Sequence, residues 1–190
     1  MLGNFFSLAL ARASIRMATP LTLAALGGAV TMQADILNIA LEGMMLVGAF
    51  FSVAASHLFS NAWLGLVAGV IASTLIGLLY AFFVVDLKGD TFVIGVALNI
   101  FAAGGTVYLL RSMFGVKGAF VSERIRTLPD ISIGLASVSG PIAEVLDGHS
   151  ILTYVSWAVV VVFSILFYRT TFGLRLRAAG DPVVASMLYA

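Results

Sequence analysis

Long uncharged hydrophobic stretches dominate the chain. Five of them approach the length of about 20 helical residues that a hydrocarbon core of about 30 Å requires. Period-two alternation, which is typical of membrane β-barrel strands, is absent. Because backbone groups in lipid must satisfy one another's hydrogen bonds, the stretches predict membrane-spanning helices. They cover residues 17–34, 43–60, 62–85, 91–110 and 151–168.

The segment before the first stretch has a different pattern. Residues 2–18 combine apolar side chains with Arg12 and Arg16, which are four residues apart and share one helical face. This pattern predicts an interfacial helix over residues 1–18. A cleaved signal peptide is the alternative, but Pro20 and the polar run 33–35 fit it poorly. We therefore expect an all-α fold: a polytopic transmembrane helical bundle of about five spans plus this N-terminal interfacial helix.

Composition narrows the class of protein. Of 190 residues, 61% are hydrophobic and 10% are charged, whereas a soluble domain carries about 25% charged residues. This composition excludes a soluble enzyme and a nucleic-acid-binding protein. We expect the chain to be embedded in a lipid membrane. The chain has no cysteine, and His57 and His149 lie far apart in sequence. We expect no metal site and no cofactor.

Basic loops predict the orientation. The segment that follows the last span carries three arginines within residues 169–181, and the segment 169–190 is therefore expected to be cytoplasmic. Counting back through the spans places residues 86–90 in the cytoplasm and residues 111–150 outside as an external loop region. With five spans and a cytoplasmic C-terminal segment, the N-terminus is expected outside. Arg12 and Arg16 are mildly unfavourable there, because basic residues favour the cytoplasmic side.

One predicted span carries small residues at every fourth position. This spacing lets a second helix approach closely, either within the chain or from another subunit. The helix-packing residues predicted in this way are Gly65, Gly69, Ser73 and Gly77, with Ala81 continuing the row.

The candidate substrate-pathway residues are Asn38, Glu42 and Asn99, which are polar within apolar surroundings. Asp35, Asn38 and Glu42 recur at helical spacing and would share one face, with Gly43 permitting a break. A discontinuous helix at a binding site and an ordinary cytoplasmic connection both fit this pattern. Asn99 lies in the middle of a span, where its amide needs a partner, either another helix or a solute.

Three stretches taken together resemble a known family. They are Ala25-Leu-Gly-Gly28, the string from Leu37 to Phe50 that contains Asn-Ile-Ala-Leu-Glu-Gly-Met-Met, and the string from Thr170 to Pro182 that contains Gly-Leu-Arg-Leu-Arg-Ala-Ala-Gly. Their order and spacing resemble the permease subunit of bacterial ABC importers in the branched-chain amino acid and simple sugar group. The nucleoside permeases that work with basic-membrane-lipoprotein-type binding proteins are the most similar branch.

The resemblance implies partners and a mechanism. Two permease subunits would form a pathway in the bacterial plasma membrane, an external substrate-binding lipoprotein would deliver a nucleoside or a simple sugar-like solute, and separate ATP-binding subunits would supply energy. A cytoplasmic coupling helix would contact the ATPase. The matching positions of this chain are Gly173, Arg175, Arg177, Gly180, Asp181 and Pro182.

The residues of the coupling segment agree with that implication. Gly173 and Gly180 bracket a basic segment that is expected to be a turn, and Asp181-Pro182 is a favourable helix start. Family members continue after this segment with further spans, so we expect the 190 residues to be a truncated form or a fragment.

The sequence supports other functions less well. The chain has neither an ATP-binding Gly-x-x-x-x-Gly-Lys-Ser/Thr loop nor a hydrolase motif, and we expect no catalytic residues. An ion-coupled secondary carrier would need acidic residues near the membrane midplane. Only Asp35 and Glu42 are candidates, and both lie near span ends. A further alternative is that the chain is a non-transporting fragment of the permease.

Overall fold

The computed structural model describes residues 8–116, 118–132, 134 and 145–181. Six helices account for most of these residues: α1 (Leu8–Gln33), α2 (Leu41–Phe59), α3 (Ala62–Ala81), α4 (Thr91–Phe114), α5 (Ile151–Arg169) and α6 (Thr171–Gly180). A π-helical turn, Phe82–Asp86, extends α3. Two short antiparallel strands, β1 (Asp130–Ile131) and β2 (His149–Ser150), pair directly before α5.

Five helices in the described part of the chain are long and apolar enough to span a membrane. They are α1, α2, α3 with its π-helical turn, α4 and α5. Only 6–22% of the residues in each span are buried within the chain, which leaves most apolar side chains for lipid or for other subunits. The predicted all-α multi-span fold is confirmed.

Local signals explain where the helices begin and end. The Asn61 side chain accepts a hydrogen bond from the Trp63 amide, and Asp90 accepts one from Val93, so both residues are N-caps. Gly115 ends α4 in the left-handed conformation, at φ 66°, and its amide donates to the Arg111 carbonyl. The cap carries α4 beyond the predicted end at residue 110.

The chain forms two compact units. In the unit made of residues 36–127, α2 packs along α3 and also contacts α4. In the other unit, which includes α1, α5 and α6, the buried Thr19 of α1 lies 3.1 Å from the Thr153 hydroxyl of α5. Nearer the start of α1, Arg12 donates to the Asp147 carbonyl at 3.1 Å.

Three sequence expectations differ from the structure. The helix α1 runs without interruption through residue 18, so the interfacial helix predicted over 1–18 is not a separate element from Leu8 onward. Residues 34–40 are not helical, so Asp35 and Asn38 do not share a helical face with Glu42. The basic segment between Gly173 and Gly180 is the helix α6 rather than a turn, because its backbone continues in helical hydrogen bonding up to Gly180.

Candidate functional site

Polar side chains of α3 and α4 hold the non-helical connection between α1 and α2. The Tyr80 hydroxyl donates to the Leu37 carbonyl at 3.1 Å. The Asn99 amide nitrogen donates to the Ile39 carbonyl at 2.9 Å, and its oxygen accepts from the Gly43 amide at 2.7 Å. Both polar atoms of Asn99 therefore bind backbone that would otherwise lack helical partners at the start of α2.

The other two predicted pathway residues lie in the same stretch. Asn38 is half-buried, and its side-chain oxygen accepts from the Ala40 amide at 3.1 Å, which stabilises the turn before α2. Glu42 is exposed in the first turn of α2, where a carboxylate interacts favourably with the helix dipole. Asp35 is exposed and has φ 59°. The structure thus brings Asn38, Glu42 and Asn99 to one short segment.

Small residues of α3 lie against α2. A methyl group on Gly65 would lie 2.7 Å from the Ser52 carbonyl oxygen, and one on Gly69 would lie 2.8 Å from that of Gly48. The Ser73 hydroxyl donates to the Met44 carbonyl at 3.0 Å. Gly77 is less crowded, since a methyl group there would meet only the Met44 side chain at 3.9 Å.

The helix α6 is attached to the end of α5. Gly173 is buried against the backbone of Phe167. Arg177 donates to the Phe167 carbonyl at 2.9 Å and to the Gly173 carbonyl at 3.3 Å, and its guanidinium lies 5.6 Å from the Tyr168 ring centre. Arg175 is exposed. Arg177 is also exposed, and its hydrogen bonds anchor α6 on the end of α5.

The end of α6 lies against the end of α1. A methyl group on Gly180 would clash with the Gln33 carbonyl and lie 3.0 Å from the Asp35 amide nitrogen. Asp181 follows in extended conformation, with φ −88° and ψ 113°. The helix predicted to start at Asp181-Pro182 lies outside the described residues, because these end at Asp181 and residues 182–190 are not among them.

Within the described residues, neither histidine belongs to a cluster of potential metal ligands. His149 is buried and its Nε2 atom lies 2.8 Å from the Val145 carbonyl. His57 packs edge-on against Phe114 and Phe120. Over residues 8–116, 118–132, 134 and 145–181, no cluster of three or more His, Cys, Asp or Glu side chains could hold a metal ion.

Comparison with known proteins identifies the family. The sequence profile described as "Branched-chain amino acid transport system / permease component" matches residues 10–189. The chain belongs to this permease family. The resemblance inferred from the three sequence stretches is confirmed. The family match and the five apolar helices of the described residues together indicate a multi-pass membrane protein.

Several curated permeases are similar to the chain. The guanosine ABC transporter permease protein NupQ of Bacillus subtilis is 30% identical over 92% of this chain and 56% of its own length. The putative glucose ABC transporter permease protein TsgC13 of Haloferax volcanii is 30% identical, over 96% and 55%. The nucleoside ABC transporter permease protein NupC of Lactococcus lactis is 29% identical, over 90% and 55%.

The chain spans about half the length of the curated permeases that it matches. No solved structure gives a significant match.

Sequence reasoning did not identify Tyr80 as part of the site. Its position within the apolar run 62–85 gives no sign that its hydroxyl reaches a carbonyl 43 residues away.

Proposed function

We propose that the chain is the transmembrane permease subunit of an ATP-driven importer in the bacterial plasma membrane. Its solute would be a nucleoside or a simple sugar-like molecule. A second permease subunit and an external substrate-binding lipoprotein would complete the pathway, and a separate ATP-binding subunit would hydrolyse ATP. The observation that carries the proposal is the family match over residues 10–189, which extends from α1 through α6.

The named solutes of the relatives share one chemistry. Guanosine, nucleosides and glucose are all uncharged molecules rich in hydroxyl groups. Such a solute needs hydrogen-bonding groups along an otherwise apolar path. Asn38, Glu42 and Asn99 are the proposed groups of this kind, and Phe50 and Phe51, whose ring centres are 5.4 Å apart, would offer an aromatic surface to a base.

The proposed contact with the ATP-binding subunit is the outward surface of α6. Phe172 and Leu174 are 52% and 64% exposed, beside the exposed Arg175. An amphipathic helix of this kind suits an apolar groove with acidic rims on a partner. Arg177 and Gly173 would fix α6 on the end of α5, so that a push on α6 displaces the spans as a rigid body. Gly180, Asp181 and Pro182 would complete this coupling segment.

Reconstitution tests the function. The complete transporter would be placed in liposomes with ATP inside, and with the binding protein and radiolabelled guanosine or glucose outside. We expect one of the two probes to accumulate only when the ATP is hydrolysable, and accumulation to persist after an ionophore collapses the membrane potential. Uptake that requires the potential and proceeds without ATP would instead indicate an ion-coupled carrier. No uptake of either probe would overturn the proposal.

A further inference from the structure

The connection between α1 and α2 is held tightly, although it has no regular secondary structure. Its backbone binds Tyr80 at Leu37 and Asn99 at Ile39, and Asn99 also binds the Gly43 amide in the first turn of α2. Hydrogen bonds of this kind, made by side chains to backbone groups without helical partners, stabilise one conformation of the connection.

Apolar packing reinforces these hydrogen bonds. Ala40 is fully buried and forms a core cluster with Tyr80 and Leu98. Gly95 of α4 provides the space for this packing, since a methyl group there would lie 2.8 Å from Cβ of Ile39. Residues 36–43 are therefore an integral part of the unit that contains α2, α3 and α4.

The preceding residues are held in the other unit. Gly180, at the end of α6, packs on the backbone of residues 33–35. The chain passes from one unit to the other between Asp35 and Ile36. A displacement of α6 at Gly180 would therefore act on backbone that is joined, within a few covalent bonds, to the segment held by Tyr80 and Asn99.

We propose that Tyr80 and Asn99 are positioning residues for transport. They keep residues 37–43 rigid, so that movement of α6 at Gly180 reaches the start of α2 through the connection instead of being lost in a flexible loop. This inference rests on the proposed function. It gives Asn99 a positioning role in addition to its proposed place on the solute pathway, because both polar atoms of its amide bind the backbone of Ile39 and Gly43.

A spectroscopic experiment tests the rigid hold without requiring transport. The chain has no cysteine, so a spin label on Leu37→Cys is unique, and Leu37 is 55% exposed. The probe variants are Tyr80→Phe, which removes one hydroxyl, and Asn99→Ala. The matched control is Tyr108→Phe on α4, where the side chain is 69% exposed. We expect greater label mobility in both probe variants and no change in the control. Unchanged mobility in the probe variants would overturn the proposal.

Kinetics test the link to transport in the complete transporter. We expect Tyr80→Phe to lower the maximal rate of guanosine uptake by about fivefold, the factor that one buried hydrogen bond is worth. The KM for guanosine should stay within about twofold, since a positioning residue does not bind the solute. Greater label mobility with an unchanged maximal rate would overturn the transport role, and a raised KM would indicate a solute contact.

If the unmodified transporter takes up neither guanosine nor glucose, the proposed function fails. The label mobility then still decides whether Tyr80 and Asn99 keep residues 37–43 rigid.

Discussion

Gly69 of α3 lies so close to Gly48 of α2 that a methyl group on Gly69 would be 2.8 Å from the Gly48 carbonyl oxygen. It would also lie 3.0 Å from the Cβ atom of Ser52. The two helices therefore meet backbone to backbone, and contacts of this kind provide van der Waals packing where lipid gives no hydrophobic drive for association.

We expect Gly69→Ala to destabilise the protein by about 1–3 kcal/mol, because the added methyl group forces α2 and α3 apart. Thermal or detergent unfolding of the purified protein measures this loss. The control is Gly104→Ala on α4, where, apart from the adjoining backbone of α4 itself, no described atom lies within 4 Å of the new methyl group. It should be neutral, or stabilising by up to about 1 kcal/mol through helix propensity. Equal stability of Gly69→Ala and the unmodified protein would contradict this packing.

The buried hydroxyl pair of Thr19 and Thr153 joins α1 to α5. A double-mutant cycle with Thr19→Val and Thr153→Val should give a coupling free energy of about 0.6 kcal/mol, the average for hydrogen bonds between membrane helices. Thr74→Val is the control, because the exposed Thr74 hydroxyl donates within its own helix to Val70. A cycle in which the two single effects simply add would show that the pair does not interact.

The contact of Gly180 with α1 should be required for coupling. In Gly180→Val the side chain would collide with the Gln33 carbonyl and displace the end of α6. We expect uptake per ATP hydrolysed to fall by roughly two- to thirtyfold, which corresponds to about 0.5–2 kcal/mol for a residue on a coupling path. The control is Ala179→Val at the neighbouring exposed position. If both variants couple normally, α6 does not act through Gly180.

The polar residues at the start of α2 should affect solute affinity. Glu42 is exposed, and the Asn38 amide nitrogen has no partner among the described residues, so both can bind hydroxyl groups. We expect Glu42→Gln and Asn38→Ala each to raise the KM for guanosine by about fivefold, through loss of one hydrogen bond. Glu123→Gln, at an exposed position, is the control. Unchanged KM and maximal rate in both variants would remove Glu42 and Asn38 from the pathway.

The spans could be predicted from sequence because lipid allows few alternatives. An uncharged apolar run such as 62–85 can satisfy its backbone only as a helix, and the structure has α3 and its π-helical turn there. The apolar pattern predicts the ends of the helices less well, because capping residues outside the apolar run decide them. Arg111 lies within α4 because Gly115 provides the C-cap.

The segment between α1 and α2 could not be predicted in the same way. The spacing of Asp35, Asn38 and Glu42 suits a helical face, but hydrogen bonds from Tyr80 and Asn99, 43 and 60 residues away from their partners, stabilise a non-helical backbone instead. Local spacing carries no information about partners at such separation. The α6 helix was missed for a related reason, since Gly173 suggests a turn but is buried against Phe167.

Accessibility of α6 tests most directly whether the chain is a permease subunit with its ATPase contact in the cytoplasm. The cysteine-free chain allows single labels at Leu174→Cys, on the exposed surface of α6, and at Glu123→Cys. We expect a membrane-impermeant maleimide to label Glu123→Cys in intact cells. Leu174→Cys should be labelled only after the membrane is permeabilised, and the ATP-binding subunit should protect it. Labelling of Leu174→Cys in intact cells would contradict the account.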